Sequence, residues 1–271
     1  MVHLICALNC EASPLISFYR MKYITDAAIF RSYSNPDTGI TLTVSGSGKI
    51  NAAAATSYTH AYFNAQDSDA WLNVGTAGHR LLHIGQAVLA HQIYDVSSDA
   101  TWYPQIVFST PCPTRALKTL DNPSCEYEEY LFDMEAAGFF AIASRVSTCE
   151  LVQVLKIISD NKTQPAGKAD KTLISGLITD QIDTIANCID SLQQLSRDLE
   201  EINVPPPEYY TCLKRWHFTQ CERNTLYNLL KRWQVLFPDS PVLENHIDNI
   251  TNGQQFLQLL IDRLKKVSIV F

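Results

Sequence analysis

The sequence predicts an α/β chain, a three-layer sandwich around a central mixed, mostly parallel sheet, followed by a C-terminal helical extension. Three observations carry that expectation. Short apolar runs alternate with helical patterns from Val2 to Asp160, the rhythm of strands covered by helices. Glycine-bearing turns follow two of the runs, at Gly46-Ser47-Gly48 and at Gly75-Thr76-Ala77-Gly78. From Leu173 the pattern is helical, and Pro205-Pro206-Pro207 interrupts it, since proline breaks a helix interior. With 271 residues, 46% of them hydrophobic, the chain is able to bury a sizeable core.

The elements follow in order. Val2–Leu8 reads as a first strand, with a helix starting near Ala12-Ser13-Pro14. Ile40–Val44 alternates like a strand, and SGSGK then turns into an alanine-rich helix from about Lys49. Trp71–Val74 reads as a buried strand, Gln86–Ile93 as another and Ala116–Leu120 as a short one. Asp133–Ser144 reads as a helix, and Val152–Ile158 as a strand ending in Ser159-Asp160. Glycines just after a strand free the backbone to approach a ligand. Ligand sites in open α/β sheets lie past the carboxyl ends of strands. Ile178, Ile182, Ile185, Ile189, Leu192, Leu195, Leu199 and Ile202 recur at helical spacing, predicting one long amphipathic helix that closes the core. The proline run then divides the chain into domains 1–203 and 204–271. The second carries helical patterns around Thr219–Phe237 and Gly253–Val267.

Composition removes several function classes. Lys+Arg total 21 against Asp+Glu 28, a net charge of −7, which argues against nucleic-acid binding through phosphate contacts. No apolar run approaches the ~20 residues needed to span a bilayer. The start MVHLICAL lacks the positive leader of a signal peptide. The cysteines Cys6, Cys10, Cys112, Cys125, Cys149, Cys188, Cys212 and Cys221 form no CxxC pair and read as free thiols, mostly buried, in a reducing cytoplasm. The Asn-x-Thr triplets at Asn161 and Asn249 carry no meaning there.

Other signals are weak. GSGK lacks the first glycine of a P-loop, at Thr43, and its Ser or Thr, at Ile50. His79 and His83 are four apart in a predicted loop without a third ligand, so no metal is expected; His79 reads as a pocket-edge residue. Ser45 and Ser47 do not form a nucleophile elbow. Trp216, His217, Phe218 and Trp233 interleave with Lys214, Arg215, Lys231 and Arg232. The aromatics are read as packing on the α/β core with the basic residues solvated, in preference to a nucleic-acid face; a subunit contact or a cover over the pocket is the intermediate reading.

Asp133-Met134-Glu135, leading into Ala136-Ala137, is the most informative stretch. One reading is negative charge at a helix N-terminus. The other is a carboxylate at the lip of a pocket, placed to grip vicinal hydroxyls or a developing positive charge.

Five segments occur in order over roughly residues 2–200: ICALNCEASPL, VSGSGKINAAAAT, LNVGTAGH, DMEAAG and IISDN. Together they resemble the nucleoside phosphorylase/nucleosidase family, most closely its methylthioadenosine/S-adenosylhomocysteine nucleosidase branch. The resemblance implies a phosphorylase/hydrolase-like fold, a nucleoside as ligand, a homodimer and no cofactor, with phosphate as co-substrate only in a phosphorylase. It implies that Glu11 activates the attacking water. Thr76, Ala77 and Gly78 would border the ribose and the nucleophile. Met134 and Glu135 fall on the ribose-binding pair, with Glu135 taking the sugar hydroxyls. Asp160 falls on the residue that protonates the leaving purine, and its neighbour Asn161 joins the substrate-binding set. Elementary chemistry agrees: breaking an N-ribosidic bond needs an acid for the base, a nucleophile on the opposite sugar face and negative charge near an oxocarbenium-like sugar.

The departures bear on the reaction. The phosphate-holding arginine of the phosphorylase branches is replaced by Asn73, and ICALNCEASPL stands where their early glycine–arginine segment would be. Phosphate is poorly held without arginine, so hydrolysis is expected, with phosphorolysis through Arg80, Lys49 or Arg115 as the alternative. Lys156 replaces an arginine common in nucleosidases and is a point charge, not a planar fork. The stretch Tyr103–Leu131, which would help to hold the base, is short and irregular. A nucleoside-binding or scaffolding protein without turnover, working through its helical module, is the third reading.

Overall fold

The structure, a computed structural model, describes residues 1–27, 29–124, 127–165, 170–238, 240, 242 and 250–266. Cys125, Asn249 and Val267, named above, lie outside the described residues, and Ile202 is described for its backbone alone. The chain forms two compact units, Met1–Glu200 and Glu201–Phe271.

The first unit alternates strand and helix. Strand β1 (Val2–Cys6) leads into α1 (Asn9–Phe18), then β2 (Lys22–Tyr23), β3 (Arg31–Asn35), β4 (Ile40–Val44) and α2 (Lys49–Phe63). Next come β5 (Ala70–His79), β6 (Ala87–Asp95), β7 (Thr101–Trp102), β8 (Thr114–Thr119), β9 (Leu131–Asp133) and α3 (Ala136–Val146). Strand β10 (Val152–Asn161) and helices α4 (Lys171–Asp180) and α5 (Ile182–Asn203) follow. Strand β1 is buried along its whole length, as a strand covered on both faces must be. The period of two sends Val2, Leu4 and Cys6 into one apolar cluster, with Ala12, Leu15 and Ile178. It sends Ile5 into the other, with Ala52, Phe139 and Phe140.

The flat sandwich is the part of the expectation that needs correction. Strand β5 pairs in parallel with β1 and β10. From β10 the sheet runs through β6, β8 and β9, and β9 returns to β5 at Gly78↔Phe132. These strands close into a barrel-like ring, from which β1, β4, β3 and β2 extend. Parallel and antiparallel pairings are equal in number among the described residues, five of each. The sheet is therefore mixed, and its longest ladders, β5–β10 and β6–β8, are parallel.

Smaller differences have local causes. Asp133 ends a strand instead of opening a helix, and Glu135 is the N-cap of α3. His79 is the last residue of β5, not a loop residue. The predicted long helix is two, broken at Gln181. Helix α5 starts afresh there, with Ile185 N–H donating to Gln181 O at 3.0 Å and Thr184 Oγ1 donating to Gln181 Oε1 at 2.9 Å. Ile178, Ile185, Ile189 and Leu192 still reach one core across the break.

In the second unit, α6 (Pro207–Arg215), α7 (Gln220–Leu236) and α8 (Gly253–Lys265) pack around their own cluster. Pro207 opens α6, where its fixed φ suits the first helical turn. Thr219 and Glu222 form a reciprocal cap on α7. Trp216, Phe218 and Trp233 pack with Leu226, Leu230 and Phe256 of this unit; the expectation that they lean on the α/β core is corrected. Arg215, Lys231 and Arg263 lie over the rings of Trp216, Tyr227 and Trp233, cation–π contacts that use the basic residues locally. Among the described residues no helix is long and apolar enough to cross a membrane.

Candidate active site

The carboxyl ends of β1, β5, β9 and β10 surround a cavity of about 180 Å³. Glu11 enters it from the first turn of α1 and is almost wholly buried. Its Oε2 accepts from Leu8 N–H at 2.9 Å, and its Oε1 accepts from Thr76 N–H at 2.9 Å and Thr76 Oγ1 at 3.0 Å. Burial pushes the Glu11 carboxyl up, and Lys156 with the Leu8 and Thr76 N–H groups only partly offsets it. The group is thus more basic than an ordinary carboxylate, which suits a proton acceptor.

Lys156 lies beneath the cavity on β10 with no exposure to solvent. Its Nζ is 2.8 Å from Asp133 Oδ2. Burial alone would lower the amine, but Asp133, Glu135 and Glu11 hold it above its usual value. A side chain at Gly75 would press on this pair: a Cβ would stand 3.1 Å from Glu11 Oε1, so that the carboxylate would have to give by a few tenths of an ångström. Asp133 also accepts from Thr119 Oγ1 at 2.7 Å and from Ala136 N–H at 2.8 Å. The carboxylate that holds the first N–H groups of α3 is that of Asp133, while the carboxylate of Glu135, at the N-cap position, is bound by the Ser47–Gly48 turn beside the cavity.

Glu135 Oε1 accepts from Ser47 Oγ at 3.0 Å and Gly48 N–H at 2.8 Å. Gly48 has φ 101°, a region that favours glycine. Among the described residues Oε2 has only a 3.4 Å approach from Met134 N–H. Opposite stands Asp160. A register irregularity in β10 between Ile158 and Asp160 turns both Ser159 and Asp160 onto the cavity, as β-bulges do beside sites. Ser159 Oγ donates to Asp160 Oδ1 at 2.6 Å, and Tyr127 OH donates to Oδ2 at 2.6 Å.

The cavity thus gathers Glu11, Thr76, Ala77, Gly78, Met134, Glu135 and Asp160. Asn161 does not line it. Its Oδ1 accepts from Thr163 and Gln164 N–H, and its Nδ2 donates to Leu82 O, so the carboxamide holds a turn. His79 is off the cavity as well. Its Nδ1 accepts from Leu81 and Leu82 N–H at 3.0 and 3.1 Å, and burial, with Arg115 nearby, pushes its pKa down. No arginine or lysine is among the described lining residues. Arg80 and Arg115 are exposed, and Lys49 is paired with Asp95 and Asp121 at 2.8 Å each. Asn73 is buried, donating to Ile5 O at 2.9 Å. Among the lining or supporting residues that the sequence reading did not place in the site are Ser47, Phe132 and Tyr127. Only Ser47 had a signal, in the glycine turn after β4.

No family model and no curated protein matches the chain. Solved structures do. The 5′-methylthioadenosine nucleosidase of Arabidopsis thaliana superposes with a TM-score of 0.58 at 17% identity, over 70% of this chain and 95% of that one. A 5′-methylthioadenosine/S-adenosylhomocysteine nucleosidase of Helicobacter pylori, bound to butyl-thio-DADMe-Immucillin-A, gives 0.55 at 15% identity, over 70% and 97%. The chain has the nucleosidase fold. Futalosine hydrolase of Helicobacter pylori matches at 0.54 and 17% identity, over 70% and 97%. The nucleosidase fold accounts for the closed sheet, and the described residues that line the cavity belong to the first unit.

Proposed function

We propose that this chain is an enzyme that hydrolyses the N-glycosidic bond of a purine nucleoside or a 5′-modified nucleoside. One observation carries the reading: Glu11, Glu135 and Asp160 line a single cavity whose described lining holds no cation. Glu11 takes a proton from water as the water oxygen bonds to C1′. The C1′–N9 bond breaks with its electron pair going to the base. Asp160, in its protonated form, gives a proton to the base nitrogen N7. Glu135 Oε2 holds the sugar hydroxyls, Met134 packs against the ribose, and the negative charge of Glu135 favours the positive character of the sugar. Proton exchange with water resets Glu11 and Asp160. No metal or organic cofactor enters these steps.

The names of the structural neighbours, nucleosidases for 5′-methylthioadenosine among them, support a nucleoside with an altered 5′ end. The cavity, at about 180 Å³, is below the ~300 Å³ of typical small-molecule pockets, so one end of such a ligand would project. Phosphorolysis is the second reading and is disfavoured because a phosphate would meet carboxylates and no free guanidinium. In this reading residues 1–203 are the catalytic domain, 204–271 an appended helical module, and the working form is a cytoplasmic homodimer.

The test is chromatography of a nucleoside panel after incubation with the protein, with and without phosphate. Free base and free sugar without phosphate are the expected products. Base release only with phosphate, giving sugar 1-phosphate, would establish the phosphorylase instead. Glu135→Gln is expected to lower turnover by about 100-fold or more; unchanged turnover would remove Glu135 from the site.

A further inference from the structure

The start of α2 serves two walls of the cavity. Ser47 and Gly48, just before it, hold Glu135 Oε1. Lys49, its first residue, reaches a different wall. Leu120, Asn122, Pro123 and Ser124 line the cavity, and within that run the Asp121 carboxylate is 2.8 Å from Lys49 Nζ. Lys49 itself is not among the described lining residues.

The two carboxylates on this ammonium differ. Asp95, at the end of β6, is buried and has Oδ1 2.8 Å from Lys49 Nζ. Its own turn holds it, with Ser97 N–H donating to Oδ1 at 3.2 Å and Ser98 Oγ to Oδ2 at 2.7 Å. Ser97 Oγ accepts a further bond from Lys49. The Asp121 side chain, by contrast, is 53% exposed. Asp95 is thus the anchor and Asp121 the tethered group. Burial works against the charge on Lys49, but Asp121 and Asp95 hold the amine above its usual value. A fixed ammonium restrains the main chain on either side of Asp121, where Leu120 and Asn122 face the cavity.

We propose that Lys49 is a positioning residue that ties the 120–124 wall to the start of α2 and so sets how closely the cavity fits its nucleoside. The occupant is taken from the nucleoside-cleaving reading; the tie itself does not depend on it. Its test has two arms. Hydrogen exchange read by mass spectrometry follows the amides of residues 120–124 in the wild-type chain, Lys49→Met, Asp121→Ala and the double variant. An ion pair with one exposed partner is a modest restraint, so each single variant is expected to speed exchange there by roughly two- to fivefold. The double variant is expected to add nothing to either single one. Lys49→Met leaves Asp95 without its cation and could fold badly; Asp121→Ala, at an exposed position, keeps the test open. Kinetics then compares the same proteins on whichever nucleoside of the panel is cleaved fastest. KM is expected to rise by roughly two- to fivefold with kcat unchanged, the mark of lost uniform binding. Unchanged exchange in Asp121→Ala, additive effects in the double variant, or a fall in kcat at constant KM overturns the proposal. The two readings fail separately. Unchanged exchange with base release intact sinks the tie and leaves hydrolysis standing. Faster exchange in both single variants without cleavage of any nucleoside does the reverse.

Discussion

Glu11 is set up by opposing influences that a single substitution can unbalance. Burial raises its carboxyl, and the donors at Leu8 and Thr76 favour the ionised form. A base must be ionised to act, so base release should rise with pH through an acid limb above the ordinary glutamate value of about 4.3. Thr76→Val removes the Oγ1 donor and leaves the Thr76 N–H bond in place. Losing a hydrogen bond to the charged form raises the pKa further, so the limb is expected to move to higher pH by about one unit. A pH–rate profile of the variant checks this, and a limb that stays where it was would mean that Glu11 is not the titrating base. Glu11, Glu135 and Asp160 could be picked out from the sequence because each lies inside a recognisable segment, and the structure brings all three onto one cavity. Tyr127 was not, because it meets Asp160 across 33 positions from a stretch with no period to place it. Asn161 was misplaced for the opposite reason: it neighbours Asp160 in sequence, but the bulge in β10 leaves it to bond a turn.

At the scale of elements, the position of Glu135 depends on how closely α2 and α3 approach. Gly138 of α3 lies against the start of α2, where a Cβ would be 1.9 Å from Lys49 O. That carbonyl is one residue from Gly48, whose N–H holds Glu135 Oε1. Gly138→Ala therefore forces the helices apart at backbone, where no side chain is able to yield. We expect a loss of at least about 1–3 kcal/mol in stability, read by urea unfolding, together with weaker nucleoside binding as the Ser47–Gly48 clamp shifts. An unchanged midpoint would show that the helices separate without cost. The helices themselves were readable from pattern, α2 from its alanines and α3 from its apolar face. Closure of the sheet was not. It depends on β9, three residues long, touching β5 at one bridge, too short to show alternation. The outer strands β2, at the sheet edge, and β3 beside it were missed on similar grounds, since Lys22, Tyr23 and Arg31 are exposed and show no alternating apolar pattern.

For the whole molecule, the two units differ in what they bury. The first holds both sheet-covering clusters and the described residues that line the cavity. The second closes its own aromatic core around Trp216, Trp233 and Phe256. A chain with its own core is able to fold alone. Ending the chain after Asn203 keeps α5 whole, whereas ending it at Glu200 would remove part of the last turn. Residues 1–203 are expected to give a soluble, cooperatively unfolding protein whose kcat/KM for base release stays within about twofold of the full chain. Calorimetry of both proteins and a side-by-side assay check this. A folded fragment with impaired turnover would make the helical module part of the catalytic apparatus. A fragment that does not fold would mean that the first unit's core depends on residues after Asn203. Full retention would leave residues 204–271 a separate task, in which Arg215 and Lys231, lying over their neighbouring rings, serve the module's own packing.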